Sequence, residues 1–97
     1  MKKSDVTLGK KVLITSKLVR KSSKYLKGKW RRFWEVEDIL PKEGIIIGLR
    51  VFSNGDCWYE SDSGTLYEAK EFFTGAVISL HLWKNPVFVL LSDINEI

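Results

Sequence analysis

Turn-forming residues punctuate this chain at Gly28, Pro41-Lys42-Glu43-Gly44, Asn54-Gly55, Asp62-Ser63-Gly64 and Lys84-Asn85-Pro86. The apolar stretches between them are short, and they alternate instead of recurring at helical spacing. Val12, Ile14 and Ser16 alternate with Leu13, Thr15 and Lys17, which predicts a strand through about Val19. In a second strand, Trp30 to Ile39, the residues Trp30, Arg32, Trp34, Val36 and Asp38 share one face. The Trp-Trp-Val side of that face is expected to point inward. Gly44 to Ser53 is the clearest strand, and Gly48 within it predicts a bulge, a bend or a close backbone approach. Asn54-Gly55 is expected at a hairpin tip, because both residues tolerate positive φ. Further strands are expected over Cys57–Ser61, Thr65–Tyr67, Ala76–Trp83 and Val87–Leu91. Glu68 to Gly75 reads as a short helical turn or a loop, and Ser92-Asp93-Ile94 as a closing turn.

Five to seven short antiparallel strands without a long helix predict an all-β fold. In a chain of 97 residues a small closed barrel is expected, since closure removes exposed sheet edges. One domain, residues 9–97, follows a flexible leader over 1–8. Val12, Ile14, Trp34, Val36, Ile46, Val51, Ile78, Leu80 and Val89 are its expected core. The single cysteine, Cys57, cannot close an internal disulfide, and the lysines of the first residues precede no apolar signal region. No apolar run approaches membrane-spanning length. A cytoplasmic location, away from membrane, is the expectation.

The net charge of +4 conceals a division within the chain. Met1 to Trp34 holds twelve basic residues against one acid, Asp5, for a net +11; Glu35 to Ile97 carries −7. The segment Arg20 to Lys29 has little to bury and reads as a long basic loop. Loops of that length are either functional or disordered. Arg20, Lys21, Lys24, Lys27, Lys29, Arg31 and Arg32 supply the cations that a phosphate backbone requires. Trp30 and Phe33, flanked by Arg31 and Arg32, and Tyr25 within the loop are the candidates to stack on a base. Nothing in the sequence suggests readout of base edges in a groove.

The first strand with its long following loop, the Asn54-Gly55 hairpin signal and the late strand–turn–strand with Pro86 resemble the SH3-like small barrels. The segment Gly44-Ile-Ile-Ile-Gly48-Leu-Arg50 before Gly55, with the tail Leu82-Trp83-Lys84-Asn85-Pro86-Val87-Phe88-Val89, resembles short orphan proteins of phages and mobile elements. This resemblance spans roughly residues 9 to 94. It implies that the loop after the first strand contributes to a binding surface. Peptide-binding SH3 domains have an acidic loop there, whereas this one is basic, so proline-rich peptides are not the expected ligand.

Catalytic chemistry has few candidates. His81 is the only histidine and lies in an apolar stretch; Cys57 beside Trp58 reads as a buried, inert thiol. Asp56, Glu60 and Asp62 read as solvated turn acids. No nucleophile–base pair, phosphate loop or metal-ligand set is apparent, so no catalytic residue, metal or cofactor is expected. The chain therefore reads as a binding module with two candidate partners. The first is nucleic acid, DNA or RNA, contacted through its backbone. The second is an acidic protein or nucleoprotein surface, as for a phage-encoded inhibitor of a host defence nuclease, an anti-CRISPR protein.

Overall fold

The computed structural model describes residues 3–80 and 85–97. Its strands are β1 (Lys11–Leu26), β2 (Lys29–Glu60), β3 (Gly64–Ser79), β4 (Val87–Leu90) and β5 (Ile94–Glu96). They form one antiparallel sheet in the order β4-β3-β2-β1-β5. The all-β expectation therefore holds. The sheet does not close into a barrel, because no ladder joins β4 to β5 among the described residues. Its two edge strands are instead linked through the chain by a single 3-10 turn, Leu91–Asp93. The Ser16 hydroxyl donates to the Asp93 carboxylate at 2.7 Å and ties that turn to β1. His81, Leu82, Trp83 and Lys84, where the Ala76–Trp83 strand was expected to end, lie outside the described residues.

A strand of 32 residues is several times the common length, and β2 reaches it only by bending. Ser16 pairs with Asp38 and Ile14 with Lys42, so Ile39, Leu40 and Pro41 oppose Thr15 alone. Pro41 suits this bulge, since it has no N–H to give to a ladder. The expected turn at Pro41–Gly44 is thus a bend within β2. A second irregularity sits between Ile46 and Gly48, where the glycine signal placed it. Glu68 to Gly75, expected as a helical turn or loop, belongs to β3.

The core is the cluster of Val12, Ile14, Ile46, Ala76, Ile78, Val89 and Ile94, with Val6, Ile39, Leu80, Val87 and Leu91 against it. Residue 6 of the expected leader thus packs on the core. Five expected core residues are fully enclosed, and four are not. Trp34 and Leu80 are half-buried, while Val36 and Val51 are 45% and 62% exposed. Val51 was expected to face inward with Ile46. In fact Ile46 and Phe52 keep the same parity, so Phe52, 2% exposed, takes the inward position. Val36 lies beyond the bulge at residues 39–41, where its partner Leu18, 7% exposed, is the buried member of the pair.

Both halves of β2 extend into hairpins. The first joins β1 to β2 through Lys27-Gly28; the second joins β2 to β3 through Ser61-Asp62-Ser63. Gly28 and Gly64 stand at φ 75°, a region open chiefly to glycine. The hairpins make the molecule long, 49 × 26 × 24 Å.

Candidate nucleic-acid interface

Arg20 to Lys29 is not a loop. Residues 20–26 continue β1 and pair with the start of β2, leaving only a two-residue turn. The expectation of a loop rested on the lack of apolar residues, but cross-strand hydrogen bonds hold a hairpin without a buried layer on each side. The ladder sorts the basic residues, because directly opposed residues share a face. Arg20 opposes Trp34, Ser22 opposes Arg32, and Lys24 opposes Trp30. These six residues line one face. Lys21 opposes Phe33 and Ser23 opposes Arg31 on the other. Tyr25 is the extra residue of a bulge between Lys24 and Leu26.

On the second face the cations already have partners. Lys21 Nζ lies 3.8 Å from Glu35, and Arg31 lies 3.5 Å from Glu71 on β3. Lys29 Nζ stands 5.5 Å from the centre of the Trp58 ring. The Tyr25 hydroxyl donates to Asp56. Loss of solvent around the phenol, then that hydrogen bond and the Asp56 charge, raise its pKa above the ordinary value; Lys70 and Arg31 oppose the rise. Ser23, Tyr25, Arg31, Gly55, Asp56, Lys70 and Glu71 enclose an open cleft of about 570 Å³ between the hairpins. Its two cations and two carboxylates balance, so it offers no net attraction to an anion.

The first face differs along its length. Toward the core, Trp34 packs edge-on against Phe52 and Phe88, at 4.9 and 5.7 Å between ring centres. Arg20 covers the Trp34 ring at 5.3 Å. Arg50, which the sequence reading passed over, lies 5.0 Å from Phe88 and 5.1 Å from Phe52. A single arginine inside an apolar strand was the available signal for this stack. Toward the tip, Ser22, Ser23, Lys24 and Trp30 line a shallow recess of about 370 Å³. Lys24 and Lys27 are exposed, Arg32 is half-buried, and none of the three forms an ion pair with a described carboxylate.

Asn54-Gly55 is a clasp, not a hairpin tip. Asn54 opposes Glu71 and Gly55 opposes Ala69, in mid-strand with a register shift between them. Asn54 Oδ1 accepts the Trp34 backbone N–H at 2.9 Å, and Asn54 Nδ2 donates to Glu71 at 3.1 Å. It thereby joins the two hairpins. A Cβ on Gly55 would meet the Glu68 carbonyl oxygen, which explains the glycine without any positive φ. Asn-Gly suits a turn and a tight bulge equally, and no local signal separates the two.

Cys57 is free and fully buried. Asp56, expected at a turn, lies mid-strand opposite Glu68. Among the described residues no group of three His, Cys, Asp or Glu side chains could hold a metal ion, and no helix is long and apolar enough to cross a membrane. No protein-family model matches the chain, and no match is found among curated proteins or solved structures.

Proposed function

We propose that this protein is a non-enzymatic binding module whose basic hairpin contacts the backbone of nucleic acid. One observation carries the reading. Lys24, Lys27 and Arg32 gather at one end of the hairpin with no described carboxylate in ion-pair range, beside Arg20 on the same face. Clustered cations left unneutralised attract a polyanion and release its counterions. The SH3-like likeness belongs to the same proposal: the 3-10 turn brings β5 back to β1, so the sheet curls as an open relative of a small barrel. The buried single thiol fits a reducing compartment such as the cytoplasm.

The test is a titration of wild type and Lys24→Glu/Lys27→Glu/Arg32→Glu against nucleic acid at two salt concentrations. Wild-type affinity should fall steeply with salt, and the folded variant should lose binding. Equal affinity for the two proteins returns the basic segment to a solubilising face.

A second reading rests on the pairing of Lys21 with Glu35 and Arg31 with Glu71. Those carboxylates weaken the field felt by a polyanion, and a mixed surface suits an acidic protein or nucleoprotein, including the target of a phage-borne inhibitor. Salt would then act mainly on the association rate.

A further inference from the structure

Resting on the nucleic-acid reading above, we infer that the ligand is single-stranded and that one of its unpaired bases stacks on Trp30. Three of the four indoles, those of Trp30, Trp34 and Trp58, lie among the described residues, and they differ in their partners. Trp34 is engaged by Phe52 and Phe88 at its edges and by Arg20 over its ring. Trp58 lies under Lys29, and its indole N–H donates to Glu60 at 3.1 Å. Trp30 has no ring or cation partner among the described residues, although it is only half-buried and lines a recess. Of the other stacking candidates, Tyr25 has its hydroxyl held by Asp56 in the charge-balanced cleft, and Phe33 lies on the second face opposite Lys21.

The surroundings of Trp30 identify what would cover it. Lys24 stands directly opposite, and the next rung pairs Ser22 with Arg32. Successive rungs on one face are about 6.8 Å apart, two strand residues. One unengaged aromatic ring, an adjacent lysine and a second cation one rung away match a base with its neighbouring phosphates. Duplex DNA keeps its bases stacked on each other and presents phosphates and base edges but no open base face, so it can use the cations but not the indole. Ser22, a small side chain on the same face and a lining residue of the recess, leaves space for a ring to enter.

The probes are a labelled oligothymidylate, an oligouridylate and a duplex of equal length. Wild type should bind at least one of the single strands more tightly than the duplex, and binding should quench tryptophan fluorescence. A preference for oligouridylate would add a contact to the ribose hydroxyl. Trp30→Ala should weaken single-strand binding about 5- to 150-fold and leave duplex binding unchanged. Trp30→Phe, which keeps a ring for packing and stacking, should retain most of the affinity but lose most of the quench; it decides the matter if the alanine variant does not fold. Trp58→Phe should keep both affinity and quench. The stacking inference is overturned if the duplex binds as tightly as both single strands, if folded Trp30→Ala binds them like wild type, or if Trp30→Phe retains the full quench. In each of those cases the triple charge reversal still tests backbone binding separately. If wild type binds none of the three probes, the nucleic-acid reading fails and this inference falls with it.

Discussion

At the scale of residues, the clasp between the hairpins is the most exacting feature. Gly55 has the carbonyl oxygen of Glu68 where a Cβ would stand, with the Ala69 Cα at 2.9 Å. Both obstacles are backbone, so relief requires the ladder to shift. Gly55→Ala should cost about 1–3 kcal/mol in denaturant unfolding, the usual range for overpacking. Unchanged stability would mean that the bulge relaxes freely. Asn54→Ala removes an acceptor from the Trp34 N–H and a donor from Glu71, and should cost about 1–3 kcal/mol. Tyr25 adds a dependence on pH. Its folded-state pKa is raised, so its contribution is fully present below the ordinary phenol value of 10.0 and is lost as pH rises through the folded value. Stability measured across that alkaline window should fall more in wild type than in Tyr25→Phe. Asn54-Gly55 was visible in the sequence, but its role was not. The dipeptide states what backbone geometry it tolerates, whereas the partner that selects a bulge, Glu68, lies thirteen positions away.

At the scale of elements, alternation located the strands and misjudged their ends. Apolar alternation reports burial, so the reading stopped β1 near Val19, where burial stops. The ladder continues to Leu26 because backbone pairing needs no core beneath it. The same reasoning split β2 at Pro41, although a proline in a bulge bends a strand without ending it. The cost of treating Arg20–Lys29 as a loop was the sidedness of its cations. Alternation already put Arg32 on the face of Trp30, but Arg20, Lys21, Lys24, Lys27 and Lys29 remained a list of charges until register set Lys24 opposite Trp30 and Lys21 opposite Phe33. The sidedness can be checked by two double reversals in the nucleic-acid titration. Lys24→Glu/Arg32→Glu should weaken binding more than Lys21→Glu/Arg31→Glu, since the latter pair already faces Glu35 and Glu71. Equal losses would show that total charge matters and position does not. The turn carries its own requirement. Gly28→Ala places a side chain at φ 75° and should cost about 1–2 kcal/mol through the left-handed penalty, with nothing within 4 Å to clash.

At the scale of the whole molecule, the core and the proposed binding surface occupy different parts of one sheet. The buried cluster draws on β1 before Ser16, the middle of β2, the end of β3, and the short β4 and β5. Even the closing strand contributes, since Ile94 is 3% exposed and opposes Ile14. Beyond that cluster each hairpin extends toward a tip with mostly exposed side chains, and contacts such as Asn54 to Trp34 and Arg31 to Glu71 hold the pair together. The radius of gyration, 15.8 Å, exceeds the roughly 12–13 Å of a compact domain of this length. Stability should therefore be graded along the long axis, because local opening costs least where few apolar contacts must be broken. Amide hydrogen exchange should find the greatest protection at Val12, Ile14, Ile46, Ile78 and Val89, and the least at residues 24–29 and 60–64. Ile94→Ala should cost about 2–5 kcal/mol and reduce protection throughout the core, since its cavity opens inside the cluster. Asn54→Ala should instead lower protection in the two hairpins with little change at Ile14 or Ile78. A uniform loss from both substitutions would show that the hairpins and the core open as one unit. In that event the binding face could not reorganise around a ligand without unfolding the protein.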